Sequence, residues 1–98
     1  MKKIKQVEKV IEMESKIVEE EGGLVTLLGK EVLLFCMNYS YTGKLIGVNT
    51  TCVELEEAKM VFETGAFTSK EWKDAQRLPF KTTYVQVGAI ESFGEVSK

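Results

Sequence analysis

A cluster of three carboxylates, Glu54, Glu56 and Glu57, is the group of residues in this sequence best placed to do chemistry. Closely spaced carboxylates can bind a divalent cation or work as a general acid and base. Glu54 and Glu56 alternate with Val53 and Leu55, which is the pattern of a strand with one face in the core and the other in water. A solvated strand face is therefore the favoured interpretation, and a cation or acid–base site is the alternative.

Other residue types that catalysis usually needs are missing from the sequence. There is no histidine, which is the commonest metal ligand and the side chain best suited to proton transfer near neutral pH. No phosphate-binding glycine loop, nucleophile elbow or zinc-type spacing occurs either. Cys36 and Cys52 fall on predicted strands, where buried free thiols are the favoured interpretation and a structural disulfide is the alternative. We expect no enzymatic activity, no cofactor and no metal.

A second candidate site surrounds Trp72, whose neighbours in the sequence are basic. These neighbours are Lys70, Lys73 and Arg77. An aromatic ring among positive charges can meet single-stranded nucleic acid. The favoured interpretation is that Trp72 packs its own loop together with Phe67 and Phe80. A group of lysines near the N-terminus is likewise better explained as a solvated helical face than as a phosphate-binding surface. These lysines are Lys2, Lys3, Lys5 and Lys9.

Length and composition define the class of protein. The 98 residues predict a single domain over 1–98. Hydrophobic residues make up 44% of the chain and charged residues 29%, which is typical of a globular protein. No apolar run reaches the length of a membrane span and no secretory signal can be drawn, so we expect a cytoplasmic protein with no membrane partner. The formal net charge of −2 means that any nucleic-acid site must be a local feature.

Hydrophobic periodicity predicts a helix followed by strands. Residues 1–22 are expected to form an amphipathic N-terminal helix that ends at Gly22-Gly23. Residues 24–63 are expected to contain strands one to three. Beyond Gly29, both alternating sets of side chains are apolar, which indicates a strand covered on both faces. A domain this small needs the helix or a neighbouring subunit to provide that cover, so the pattern suggests oligomerisation.

Glycines within the strands predict bending. Gly43 and Gly47 are poor strand formers that permit sharp bends or close approach of another backbone. The third strand is expected to be long and to bend near Glu57-Ala58. Bent strands allow a short sheet to close on itself.

The rhythm of the strands breaks in residues 64–81, which we interpret as an insertion. Thr68-x-x-Glu71 is a helix capping box, so a helix of one to two turns is expected before Pro79. Residues 82–93 then predict the last two strands, joined at Gly88.

The glycine and apolar residues of the predicted strands resemble the first motif of the Sm-like (Sm/LSm) family. The matching residues are Gly29-Lys30-x-Val32-x-Leu34, Tyr41-x-Gly43-x-Leu45-x-Gly47-Val48-Asn49 and Val53-x-Leu55-x-Glu57-Ala58, and the second motif would be Val87-Gly88-Ala89-Ile90. The resemblance implies an all-β fold: a small, five-stranded, strongly bent antiparallel barrel of the SH3 type. It also implies an N-terminal α-helix and a helical insertion before strand 4.

Self-assembly is a further implication of the resemblance. In the family, the fourth strand of one subunit pairs with the fifth strand of the next and closes a ring. The chain would thus form a homo-oligomeric ring, a pentamer to heptamer, with the subunit interface along its last two strands. The interface residues would be Tyr84, Val85, Val87, Ile90 and Phe93.

The RNA pocket of the family is matched only in part. In the family an aromatic ring stacks on a base, an Asn reads the base edge and an Arg-Gly pair closes the site. Here Thr51 replaces the ring, Cys52 or Val53 replaces the Asn, and Val87 replaces the Arg. Because stacking on a base contributes on the order of 1 to 3 kcal/mol, we expect the usual uridine pocket to be weak or absent.

Four residues remain as candidates for binding RNA or another single-stranded nucleic acid. Asn49 and Thr51 would supply hydrogen bonds, Gly88 would allow close approach of the backbone, and Lys44 would supply positive charge. The alternative function is a ring-shaped structural protein or protein-interaction adaptor, in which the insertion around Trp72 docks a protein partner.

Overall fold

The structure is a computed structural model that describes residues 17–18 and 22–97. One antiparallel sheet of six strands dominates these residues. The strands are β1 (Glu31–Cys36), β2 (Ser40–Val48), β3 (Cys52–Glu63), β4 (Asp74–Arg77), β5 (Thr82–Gln86) and β6 (Ile90–Glu95). Two short 3-10 turns, Gly23–Leu27 and Val87–Ala89, lie before β1 and between β5 and β6. The prediction of an all-β fold is confirmed.

The strands are ordered β4-β3-β2-β1-β6, and β5 also pairs with β3. Strand β3 is long enough to take two partners along one edge, since its first half pairs with β5 and its second half with β4. The sequence predicts a five-stranded barrel, whereas the described residues form six strands in a sheet that is not closed. The extra strand exists because β5 covers only half of the twelve-residue β3. The turn Val87–Ala89 leads the chain from β5, which lies beside β3, to β6, which lies beside β1. The sheet stays open because no described ladder joins β5 to β6.

A β-bulge bends the long β2–β3 hairpin. Thr42 lies opposite Lys59 and Lys44 opposite Glu56, so Gly43 faces both Glu57 and Ala58. A Cβ atom at Gly43 would lie 3.0 Å from the Glu56 carbonyl oxygen and 3.1 Å from the Ala58 Cα, so a side chain here would force the backbone of β3 to shift. Glu57 has a φ of 54°, in the left-handed region. The irregularity lies where the sequence predicts the bend of the third strand.

The helix predicted within 64–81 is wrong. Asp74–Arg77 forms β4, whose Ala75 pairs with Val61 of β3. The preceding loop is closed by backbone bonds from the Ser69 N–H to Ala66 O at 3.0 Å and from the Lys73 N–H to Thr64 O at 3.3 Å. A helix this short is costly to nucleate. Pairing with the exposed edge of β3 offers the same backbone groups a ladder, and this tertiary contact overrides the capping box.

The predicted N-terminal helix, 1–22, lies almost wholly outside the described residues. Of its apolar stripe only Ile17 and Val18 are described; they are not in a helix, and they are 75% and 71% exposed. Among the residues that the structure describes, none belongs to a helix of the length and apolar character that crossing a membrane would require.

The core lies on the concave face of the bent sheet. Val32, Leu34, Leu45, Val53 and Leu55, from β1, β2 and β3, are fully buried. The first 3-10 turn adds Leu24 and Leu27, which pack against this cluster. The core thus fixes the positions of the turns between the strands, where the candidate site residues lie.

Candidate functional site

Asn49 organises the turn between β2 and β3. Its side-chain oxygen accepts hydrogen bonds from the Thr51 N–H at 2.8 Å, the Cys52 N–H at 2.9 Å and the Thr51 hydroxyl at 3.1 Å. The Asn49 N–H donates to Cys52 O at 3.0 Å. Short polar side chains stabilise turns in this way. The amide oxygen of Asn49 is thus committed to the fold, which leaves its NH2 group as the part that could contact a base.

The second predicted loop is joined directly to this turn. The Val87 N–H donates to Thr51 O at 2.8 Å, which places the turn Val87–Ala89 beside Asn49. Gly88 is exposed, and no heavy atom lies within 4 Å of the place where its Cβ would be. The structure therefore brings Asn49, Thr51 and Gly88 together at one surface, which we call the loop surface. The space around Gly88 means that the fold itself would tolerate a side chain there.

Lys44 is not part of the loop surface. It is exposed near the centre of β2, with Glu31 of β1 and Glu56 of β3 opposite it in the two ladders. Residues directly opposite each other in a sheet project from the same face. Two carboxylates thus flank the lysine and reduce its attraction for phosphate. Lys44 therefore does not supply positive charge to a ligand at the loop surface.

The carboxylate cluster has a structural role at one of its members. The Thr82 hydroxyl donates to the half-buried Glu54 carboxylate at 2.8 Å and links β5 to β3. Glu56 and Glu57 are exposed, and Glu57 lies at the bulge. Within 17–18 and 22–97, no three His, Cys, Asp or Glu side chains are grouped closely enough to hold a metal ion.

The five predicted interface residues fall into two groups. Tyr84 is 65% exposed and Phe93 is 41% exposed, whereas Val85 is buried and Val87 and Ile90 pack partly against the core. Strand β6 ends the strand order on one side, β5 lies beside β4 along the far edge of β3 on the other, and each is paired along one side only by the described residues. We call the other sides of β5 and β6 the open edges. The exposed aromatic residues lie on these two strands.

An apolar groove of about 410 Å³ lies beside β5, and we call it the edge groove. Its lining includes Met37, Tyr39, Met60, Phe80 and Tyr84. The sequence does not identify Met37, Met60 and Phe80 as neighbours on one surface, because the groove forms where the β1–β2 turn meets the segment between β4 and β5. The only signal in the sequence is the number of large apolar residues just outside the strands.

A second groove, of about 370 Å³, contains Trp72, and we call it the Trp72 groove. Phe67 and Trp72 line it together with Leu33 and Phe35 of β1, while Phe80 lies in the edge groove instead. Two of the three aromatic residues predicted to pack together thus share one cavity. The basic character of the loop is reduced, since Lys73 lies 3.6 Å from Glu63 in an exposed ion pair.

Two titratable side chains in the edge groove are shifted by their surroundings. Burial raises the pKa of the Cys36 thiol, and the Glu91 carboxylate raises it further. Burial also raises the pKa of Tyr41, with smaller contributions from Cys36 and Tyr39. Both cysteines are free thiols and half-buried. Because a thiolate is the reactive form, a raised pKa makes Cys36 a weak nucleophile near neutral pH.

Comparison of the sequence with family models gives no match, and comparison with curated proteins gives no significant relative.

Proposed function

We propose that this chain is the subunit of an Sm-like, homo-oligomeric ring, in which β5 of one copy pairs with β6 of the next. The observation that carries the proposal is the pair of open edges at the two ends of one sheet. Head-to-tail pairing uses both edges of every subunit and closes when the rotation between subunits allows it. The same contact provides a function for the two last strands of the chain.

The composition of β5 supports this proposal. Natural proteins usually protect an exposed strand edge with charges, proline or a bulge. Strand β5 has no charged residue and no proline, and it carries the exposed Tyr84. Strand β6 carries Glu91 and Glu95, and its Phe93 is 41% exposed and lines the Trp72 groove. With its composition, the open edge of β5 is suited to pairing rather than to contact with water.

Native mass spectrometry, before and after nuclease treatment, tests the assembly and its ligand together. We expect a closed oligomer of defined subunit number, because the two edges of each chain are then satisfied. A monomer at micromolar concentration would contradict the ring. A fall in mass after nuclease treatment would show that the ring carries nucleic acid, and an unchanged mass would favour the structural or adaptor role.

RNA or single-stranded nucleic acid bound at the loop surface is the second candidate function. The bond between Val87 and Thr51 favours it, because this bond places the two loops that would hold a nucleotide side by side. The chain offers no aromatic residue there, and its net charge is −2. Binding would therefore depend on hydrogen bonds from Asn49 and Thr51, with weak affinity and a small dependence on salt.

Two substitutions of Asn49 separate its role in the turn from a role in binding. Asn49→Asp keeps an oxygen acceptor for the Thr51 and Cys52 N–H groups but removes the NH2 group, so the stability should stay close to that of the wild type. Asn49→Ala removes the acceptor and should lower the free energy of unfolding by about 1 to 2 kcal/mol. Urea unfolding measures both effects.

Fluorescence anisotropy with a labelled uridine-rich oligonucleotide then measures binding by the same variants. If the loop surface binds a base, Asn49→Asp should weaken binding by about tenfold, because it replaces a donor with a negative charge. Equal affinity for Asn49→Asp and the wild type would exclude the loop surface as the binding site.

The protein-interaction adaptor is supported by the Trp72 groove, whose lining is mainly apolar. A protein partner bound there should be released by Trp72→Ala and should be insensitive to salt, whereas a nucleic acid held there by Lys70 and Arg77 should be released by salt.

A further inference from the structure

Backbone hydrogen bonds show which residues of β5 point to its open edge. The Val87 N–H donates to Thr51 O at 2.8 Å, and Gln86 lies opposite Cys52 in the same ladder. In an antiparallel pair, residues that bond to the partner strand alternate with residues that point away from it. The odd-numbered residues of β5 therefore bond to β3, and the even-numbered residues point to the open edge. The outward residues are Thr82, Tyr84 and Gln86.

Backbone hydrogen bonds also show which residues of β6 point to its open edge. The Val96 N–H donates to Glu31 O at 2.8 Å, and Glu95 lies opposite Val32 in the adjoining ladder. Val96 thus bonds to β1, as do Gly94 and Ser92. The residues between them direct their N–H and C=O groups to the open edge. These outward residues are Phe93 and Glu95.

We propose that the two open edges meet in a single register, with Tyr84 of one copy directly opposite Phe93 of the next. The inference rests on the proposed ring. Every described strand pair of this sheet is antiparallel, and an antiparallel ladder joins outward residues to outward residues. Only registers that differ by two residues are therefore allowed. The register with Tyr84 opposite Phe93 also places Thr82 opposite Glu95.

Three features select this register from its neighbours. It aligns all five residues of β5 with β6, and it places Thr82 and Tyr84 opposite the two outward residues of β6. It pairs two exposed aromatic rings across the strands, an arrangement that stabilises sheets. A shift by two residues would instead place Tyr84 opposite Glu91 or Glu95, and a carboxylate would face the ring.

The edge groove fits the same occupant. It runs along β5, and Tyr84 lines it together with Tyr39 and Phe80. Strand β6 of a second copy, laid along the open edge of β5, would cover these apolar side chains. Strand β5 itself is uncharged and is preceded by Lys81, and the Glu54 carboxylate that accepts from Thr82 lies one strand further in, on β3. A second copy of this chain is therefore an occupant that satisfies the open edge and covers the apolar lining of the groove.

Disulfide cross-linking between copies tests the register. The full-length chain is first freed of its own thiols by Cys36→Ser and Cys52→Ser. Thr82→Cys and Glu95→Cys are then added to the same chain, because these positions face each other across the proposed contact at a distance that a disulfide can span. Mild oxidation should convert the protein into covalent multimers on a non-reducing gel.

Two matched pairs control for the neighbouring registers. Tyr84→Cys with Glu95→Cys reports a shift in one direction, and Thr82→Cys with Phe93→Cys reports a shift in the other. We expect little covalent product from either pair. If native mass spectrometry shows an oligomer but a shifted pair cross-links, or no pair does, the register is wrong while the ring stands. A wild-type monomer would overturn both.

The aromatic pair can also be tested without cysteines. Tyr84→Ala and Phe93→Ala should each weaken association by about tenfold, since aromatic residues dominate many interfaces. The fold-loss of association affinity in the double variant should be smaller than the product of the two single fold-losses, because contacting residues are coupled. Phe62→Ala, at an exposed position of β3 that lines neither groove, is the control and should associate normally. Fully independent losses would show that the two rings do not meet.

Discussion

Glu57 is the residue at which the fold demands an unfavourable conformation. Its φ of 54° costs a side chain other than glycine roughly 1 to 2 kcal/mol, and its side chain is exposed. Glu57→Gly should therefore raise the free energy of unfolding by about 0.5 to 1 kcal/mol, after allowing for the greater entropy of glycine in the unfolded chain. Urea unfolding at neutral pH measures the change.

Glu56→Gly is the matched control for that substitution. Glu56 is the preceding residue, is equally exposed and is not among the described residues with positive φ. Glycine there should lower stability by at least roughly 0.5 to 1 kcal/mol, because it adds entropy to the unfolded state and removes the carboxylate opposite Lys44. If both variants are destabilised by the same amount, the bulge carries no backbone strain at Glu57.

The strands illustrate what the sequence can and cannot predict at the level of elements. The hairpin of β2 and β3 is predictable because Val53, Leu55 and their polar neighbours alternate, and because Gly43 marks the bulge. Strand β4 is not predictable from Asp74-Ala75-Gln76-Arg77, which has the composition of a helix. It forms because β3 extends beyond β5 and offers an edge. This is information about tertiary contacts that no local pattern contains.

The candidate site follows the same rule. That Asn49 and Thr51 share a turn is evident from the sequence, because polar residues separate two strands there. That Val87 donates to Thr51 depends on β5 pairing with β3 in one register, so the meeting of the two loops is a property of the sheet. The positive charge of Lys44 is the only feature that suggests a place for it at this site, and the ladders place it between two carboxylates instead.

For the whole molecule, the proposed ring would link folding to assembly through the open edges. A subunit that is stabilised by its neighbours should melt at a temperature that rises with protein concentration, because dissociation accompanies unfolding. The most direct test of this coupling removes one hydrogen-bond donor from the open edge of β5 without disturbing the ladder to β3. Gln86 offers this opportunity, because its N–H points outward.

Gln86→Pro should leave the subunit folded while weakening the assembly. Gln86 has a φ of −70° and a ψ of 129°, close to the geometry that proline imposes, and the preceding residue is in a strand as proline prefers. The pyrrolidine ring of the proline also occupies the space that a neighbouring strand would need. We expect native mass spectrometry to show mainly monomer and the melting temperature to lose its dependence on concentration.

Gln86→Ala, which keeps the N–H, should behave like the wild type. An unfolded Gln86→Pro would mean that this N–H serves the subunit itself, and an unchanged oligomer would show that the open edge of β5 is not where copies meet.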